Sequence, residues 1–385
     1  MIEFVSGNNI QLLKSGSEYF PALLKAIEKA TSEIYIQSYI YEMDAVGISI
    51  GNSLKQAAQR GVVVNLMLDG FGSQNLPVSY IHELELAGVQ VILYRAKISP
   101  WTFKKTRLRR LHHKIVVIDR GLAFVGGINI IDDNNVPHNT APRIDYAVRI
   151  KGPLLEAIVA RTHKLWRRIA WSYIGKNLRV SKAIEKLSKP ALKSNVKAAL
   201  VIRDNIMHRR DIEEAYLSAI NNAKTEIIIA NAYFLPGRKF RKALITAAER
   251  GVSVKLLLQG RKEYLLLLAT STFYTELLSK GIEIYEYRKS FMHSKVAVVD
   301  QHWATIGSSN IDPFSLLLSR EANIVILDAA FAQELRSDIL ATVQNGAHHI
   351  SILEWAHGKM MHRVVSWLAY RVVRILLELI GYSNE

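Results

Sequence analysis

Apolar runs of strand length alternate along the chain with stretches of helical spacing. From Ala26, "AIEKATSEIYIQSYIY" reads as a helix end, a short turn and an apolar strand. From Ala219, "AINNAKTEIIIANAYF" repeats that pattern. "LKQAAQRGVVVNLMLDG" and "LITAAERGVSVKLLLQG" each read as a helix closed by Arg-Gly, then a buried-type strand ending at Gly70 or Gly260. "HHKIVVID…AFVGGIN" and "MHSKVAVVD…ATIGSSN" form a third pair. The offset drifts from 193 to 190 to 181 residues, as small loop deletions produce. The chain is therefore built twice.

Strands alternating with helices predict an α/β protein, each half a mixed sheet flanked by helices. Two similar halves predict a pseudo-twofold pair, with one site at their interface. The expected division is residues 1–152 and 198–348 for the halves, 153–197 for a connector and 349–385 for a C-terminal helix. The connector opens with Pro153 at a helix N1-like place, and "GPLLEAIVARTHKLWRRIAWSYI" keeps apolar residues at helical spacing. From Arg161 to Lys197 it holds eleven Lys/Arg and one acid, Glu185. That reads either as a solvated linker helix or as a surface for an anionic partner.

Composition narrows the chemistry. Of 385 residues, 49% are hydrophobic and 22% charged, enough for a sizeable core and too apolar for disorder. There is no cysteine, which excludes disulfides, thiol nucleophiles and Cys-ligated zinc. The net charge of +16 favours a polyanionic partner, nucleic acid or an anionic membrane. No signal peptide is visible at the N-terminus, and no uncharged apolar run reaches the length of a spanning helix.

The third repeat pair carries the candidate chemistry. His112-x-Lys114-x4-Asp119-x6-Gly126-Gly127-x-Asn129 is matched by His293-x-Lys295-x4-Asp300-x6-Gly307-Ser308-x-Asn310. His and Lys at i and i+2 of a strand share a face. Backbone at the Gly-rich turn can approach an anion closely, and the Asn amide can donate to it. Paired across a pseudo-twofold, two imidazoles, two ammonium groups and two amides make a phosphate receptor with a nucleophile on one side and an acid on the other. A metal site would want carboxylates or a third His, and the two lysines oppose a cation. His113, His348 and His349 have no repeat counterpart and read as structural or surface groups. A carboxylate usually orients a catalytic imidazole. Asp145 in "RIDYAVRI" and Glu321 in "LSREANIVIL" open corresponding strands, so the expected pairs are His112–Asp145 and His293–Glu321.

The doubled motif resembles the phospholipase D superfamily, over roughly residues 8–345. Within it the chain is most similar to the bacterial cardiolipin synthases, in their short form without N-terminal transmembrane helices. "RDNIMHRRDIE", "IIIANAYFLPG", "HWATIGSSNIDPFSL" and "DYAVRIKGP" carry that likeness, and Gly127 stands where Ser is more familiar. The resemblance implies a catalytic set of His112, Lys114, Asp119, His293, Lys295 and Asp300, with the two aspartates as supporting acids at the far ends of their strands. It implies phosphate contacts from Asn129, Asn310 and Ser308. It also implies a ping-pong transfer through a phosphohistidine with no metal and no cofactor, His112 attacking and His293 protonating the leaving alkoxide in the commoner assignment. The substrates implied are phosphatidylglycerol and, as product, cardiolipin.

A lipid substrate requires membrane contact. "SPWTFKKTRLRRLHHK" sets Trp101 and Phe103 beside six Lys/Arg. "VVSWLAYRVVRILLELI" places Trp367, Arg371 and Arg374 on a basic apolar helix that lies flat more cheaply than it spans. The expectation is a peripheral protein on the cytoplasmic face of the cell membrane, bound to anionic phospholipid. The superfamily also holds nucleases, but no aromatic-interleaved basic platform for bases is evident, and no nucleic-acid partner is expected.

Overall fold

The computed structural model describes residues 2–96, 109–137, 140–171, 195–261, 265–357 and 360–379. The first half contributes β1 (Val5–Lys14), β2 (Glu33–Ser38), β3 (Val63–Asp69), β4 (Gln90–Tyr94), β5 (Ile115–Ile118), β6 (Leu122–Gly126), β7 (Arg143–Ile144) and β8 (Tyr146–Lys151). The second contributes β9 (Val196–Arg203), β10 (Glu226–Asn231), β11 (Ser253–Gln259), β12 (Glu283–Tyr287), β13 (Phe291–Met292), β14 (Lys295–Val299), β15 (Trp303–Gly307), β16 (Glu321–Leu327) and β17 (Ala347–Ile350).

The two halves do not keep separate sheets. Fifteen strands form one sheet in the order β17-β12-β11-β10-β14-β15-β16-β9-β1-β8-β6-β5-β2-β3-β4. Apart from β17, the order reads the same from either end outward from the β9–β1 seam. That is the pseudo-twofold. In each half three strands run parallel (β2-β3-β4 and β10-β11-β12), and the hairpin that follows the motif pairs antiparallel with the first of them. At the seam, buried Asn8 donates to Val196 O (3.1 Å) across the halves and accepts from Leu154 N (2.9 Å).

Alternation along the strands assigns the two faces. Ile34 and Ile36 of β2 face helices Ser15–Glu28, Ala45–Gln59 and Val78–Leu86, while Tyr35 faces the other way. Ile227 and Ile229 of β10 likewise face Asp211–Asn222 and Arg238–Glu249. On the opposite side one core runs unbroken across both halves. Helices Leu154–Ala170 and Ala329–Gly346 cover it, burying Ile158, Trp166, Leu335 and Ile339. The connector helix is thus not a solvated linker over residues 154–170. Its apolar stripe is core, and His163 Nε2 lies 3.2 Å from Glu33, which accepts from Arg120 Nε (2.7 Å). The basic residues from 172 to 194 lie outside the described residues.

Helix Met360–Leu379 packs against residues 268–273. Buried Ser366 meets Ser271 Oγ (2.8 Å), Ala369 and Val373 are buried, and Tyr370 stacks edge-on to Phe273. Its outer face leaves Val364, Val365, Trp367, Leu368, Val372 and Ile375 exposed. The Arg371 guanidinium sits over the Trp367 ring (5.4 Å), and Arg374 pairs with Glu378 (3.4 Å).

Asp119 and Asp300 are not among the histidines. Each lies at the left-handed turn of its hairpin, with φ of 48° and 50°, at the opposite end of the strand. Asp119 accepts from the N–H groups of Thr31, Ser32 and Glu33 (2.8, 2.7 and 3.0 Å) and from both hydroxyls of that turn. Asp300 likewise accepts from the N–H groups of Lys224, Thr225 and Glu226 and from the Thr225 hydroxyl. Each ties a motif strand to the start of the neighbouring parallel strand, away from the histidines. Burial pushes the Asp119 carboxyl up, but these donors outweigh it and hold the group below its ordinary value. Its stabilisation is complete above the ordinary carboxylate pKa and is lost as the pH falls through the lowered one. Asp119→Ala is expected to cost about 1–3 kcal/mol in urea unfolding at neutral pH, with a shrinking difference below pH ~4. An unchanged unfolding midpoint would refute this anchoring role.

Candidate active site

Each motif histidine is carried out of its own half. Backbone bridges pair Leu111 with Arg320, and Phe291 and Met292 with Arg143 and Ile144. His112 N donates to Arg320 O (3.0 Å) and His293 N to Ile144 O (2.8 Å). Side chains lock the approach. Buried Asp69 accepts from Arg110 Nε (3.0 Å), Arg110 Nη2 (2.7 Å) and Leu111 N (2.7 Å). In the second half Gln259 Nε2 donates to Met292 O (3.2 Å) instead.

The acids expected to orient the imidazoles are present, but the pairing is exchanged. His112 Nδ1 lies 2.9 Å from the Glu321 carboxylate, and His293 Nδ1 lies 2.7 Å from Asp145 Oδ2. The His112–Asp145 and His293–Glu321 pairs are corrected accordingly. The bridges above place each histidine beside the segment that opens the acid's strand in the other half. With Nδ1 committed to a carboxylate, Nε2 is the nitrogen left for chemistry.

Lys114 and Lys295 are buried in the same cluster. Each turns its ammonium back onto the carbonyl two residues earlier, Lys114 Nζ to His112 O at 2.9 Å and Lys295 Nζ to His293 O. Lys295 is also 3.7 Å from Asp145. Two ammonium groups thus offset two carboxylates. Burial sets the proton affinities. It lowers both histidines well below their ordinary value, and the two lysines push in the same direction. It lowers Lys114 to about 7 and Lys295 to about 8, against the pull of Glu321 and Asp145 respectively. It raises Glu321 to about 8 and also raises Asp145, with the lysines opposing both. Neutral imidazoles are nucleophiles.

Ser308 Oγ donates to Glu321 Oε2 (2.5 Å) and accepts from Ala322 N (3.0 Å), so its hydroxyl is engaged by the acid and the adjoining backbone. The missing hydroxyl at Gly127 has a steric cause. A Cβ there would fall 2.2 and 2.5 Å from the two Asp145 carboxylate oxygens. Asn129 and Asn310 are buried after the Gly-rich turns. Asn129 Oδ1 accepts from Ile40 N (3.1 Å), which leaves the amide nitrogen as its donor end. Trp101 and Phe103 lie outside the described residues.

Aromatic residues escaped the sequence reading. The Tyr39 ring lies 4.7 Å from His112 and beneath the Lys114 ammonium, and Phe291 stacks on His293 at 6.3 Å under the Arg143 guanidinium. Tyr39 follows the end of β2 and Phe291 lies two residues before His293, and those positions are their only signal. No group of three His, Asp or Glu side chains is arranged to hold a metal among the described residues. The arrangement suits attack on a phosphate ester by one imidazole, with protonation by the other.

The model of the family described as "Cardiolipin synthase, PLD-like domain" matches residues 23–164 and 216–342. "Cardiolipin synthase B" of Escherichia coli K12 and that of Shigella flexneri are each 36% identical over 98% of this chain and 90% of theirs. "Probable cardiolipin synthase YwiE" of Bacillus subtilis is 29% identical over 86% of this chain and 65% of its own. The solved phosphatidylserine synthase of Haemophilus influenzae shares the fold, with a TM-score of 0.71 at 16% identity, covering 98% of this chain and 97% of that one.

Gly127→Ser is expected to lower turnover about 100-fold, because displacing Asp145 by even ~1 Å misaligns His293. Ser308→Ala, which removes one hydrogen bond to a carboxylate, is expected to lose roughly tenfold. Turnover is to be measured beside the unfolding midpoint, so that misfolding is separated from misalignment. Full activity in Gly127→Ser would show that the carboxylate has room to move and the steric account is wrong.

Proposed function

The chain belongs to the family of PLD-like cardiolipin synthases, and from that premise we propose that it transfers a phosphatidyl group from one phosphatidylglycerol to another, giving cardiolipin and glycerol. The exchanged pairing of two imidazoles with two buried carboxyls, and two lysines among them, carries this reading. In the proposed course His112 Nε2 attacks phosphorus while Lys114, Lys295, Asn129 and Asn310 hold the non-bridging oxygens. The bond from phosphorus to the headgroup glycerol breaks, and His293 delivers the proton to that alkoxide. Burial raises Asp145 above the ordinary carboxylate value, which favours holding a proton within the His293–Asp145 pair. The phosphohistidine stores the ester's free energy, which is why no nucleotide is required. His293, now a base, takes the proton of the second phosphatidylglycerol's hydroxyl, whose oxygen displaces His112 from phosphorus.

The same geometry supports hydrolysis if water replaces the second alcohol. Lipid mass analysis of phosphatidylglycerol vesicles incubated with the protein separates the two. Cardiolipin with equimolar glycerol is expected, in the presence of EDTA as in its absence. Phosphatidic acid without cardiolipin would make the protein a phospholipase. His112→Ala and His293→Ala are each expected to lose at least ~10³-fold, about 4 kcal/mol of barrier, since the two act as a unit. Retention of a tenth of the activity by either variant would sink the two-histidine mechanism.

We further propose that the protein works as a peripheral protein on the cytoplasmic face of the cell membrane. No described helix is long and apolar enough to cross a bilayer. The outer face of helix Met360–Leu379, with Trp367 and Leu368 exposed and Arg371 over the indole, suits a helix lying in the headgroup boundary. Anionic lipid attracts the net +16 charge. Because the inner face of this helix is packed, truncation would disturb the fold, and paired Trp367→Ser and Leu368→Ser substitutions are the cleaner probe. They are expected to weaken sedimentation with phosphatidylglycerol vesicles about tenfold or more, on the scale of two lost apolar side chains. Undiminished sedimentation would remove the helix from the account.

A further inference from the structure

The halves differ where the first strand of each meets its helix. In the first half β1 ends at Lys14 and the helix begins at Ser15. In the second, β9 ends at Arg203 and the helix begins only at Asp211. The inserted residues form a braced loop. Asp204 Oδ1 accepts from the N–H groups of Ile206, Met207 and His208 (2.8, 2.9 and 3.0 Å), and Asp204 N donates to His208 O (2.8 Å). The brace turns two large apolar side chains outward: Ile206 is 63% exposed and Met207 78%.

The loop stands at the active-site end of the sheet. Arg203 is in register with Glu321, the acid beside His112. The Arg203 guanidinium donates to Ser319 O (2.6 Å) and to Asn205 Oδ1 (2.7 Å), so one side chain joins the base of the loop to the segment that carries Glu321. Basic residues adjoin the apolar tip. Arg209 and Arg210 follow it in sequence and are exposed, and His208 meets exposed Arg161 at Nε2 (3.1 Å) and Asp211 at Nδ1 (2.6 Å). Water solvates an Ile-Met pair poorly, and nothing in the site's chemistry uses it. Exposed apolar side chains with guanidinium groups nearby match a bilayer surface, with methyl groups among acyl chains and cations at the phosphates.

We propose that the Asp204–Arg210 loop is a preformed lipid contact that sets Ile206 and Met207 into the acyl boundary of an anionic phospholipid surface, at the mouth of the active site. The proposal rests on the lipid-substrate reading above and adds where the membrane meets the site. A loop braced by its own aspartate meets the surface without an ordering cost. Because one half alone has it, the bilayer would approach the site from the Glu321 side.

The chain has no cysteine, so Met207→Cys carries the one thiol for a polarity-sensitive nitrobenzoxadiazole label on the full-length protein. Phosphatidylglycerol vesicles are expected to shift its emission to the blue and at least double its intensity, and brominated acyl chains to quench it. Phosphatidylcholine vesicles should do neither. The same label on Glu156→Cys, an exposed site on the connector helix, should not respond. An unshifted Met207 label on protein that sediments with the vesicles overturns the proposal. So does an equal response to phosphatidylcholine, or a blue shift on concentrating the protein without lipid, which marks contact between copies. Ile206→Ser with Met207→Ser should weaken vesicle binding at least fivefold. Mass analysis of the same vesicles keeps the two readings apart. Cardiolipin formed with no label shift refutes the loop alone, and a label shift with no cardiolipin upholds the loop while refuting the synthase.

Discussion

Four ionisable groups of opposite sign, buried together, set the terms for the rest of this molecule. A buried ammonium or carboxylate left alone costs several kcal/mol, so Lys114, Lys295, Asp145 and Glu321 are tolerable only as a mutually compensating set. Each half holds one acid and one base, but the acid serves the other half's imidazole. Neither half can therefore have a finished site alone. The β1–β9 seam, the core that continues under Trp166 and Leu335, and the short bridges at Leu111 and Phe291 all keep the two halves in the one relation that closes this charge balance.

Much of this was legible in the sequence. Repetition gave two α/β halves, the doubled motif gave the histidines and lysines, and equivalent positions gave both acids. The exchange of partners was not legible. In a symmetric object, pairing within a half and pairing between halves join residues of the same kind at equivalent positions, and spacing cannot separate them. The hydrogen bond from Ser308 to Glu321 was not legible either, because nothing in the spacing places that hydroxyl beside the carboxylate. The burial of Asn8 at the seam was not legible, because in "VSGNNIQLLK" a pattern of apolar positions has nothing to register at a polar residue.

The duplicated halves have also become unequal around a shared plan. Asp145 lies so close to the turn that only glycine fits at 127, whereas at the equivalent place serine fits beside the longer Glu321 and hydrogen-bonds it. The strand before His112 is fixed by a buried ion pair, that before His293 by a neutral amide. Two imidazoles in such different settings are not interchangeable. That inequality offers a physical basis for the proposed division, in which one attacks phosphorus while the other moves protons.

The exchange also has a consequence in time. His112 waits for an acid 209 residues farther along the chain, and His293 relies on one 148 residues earlier. During synthesis on the ribosome the first histidine is exposed long before Glu321 has left the exit tunnel. A nascent or truncated chain thus carries an unaligned imidazole beside an uncompensated lysine. Chemistry begins only after nearly the whole polypeptide has been made and its most distant contacts, the slowest to form, are in place.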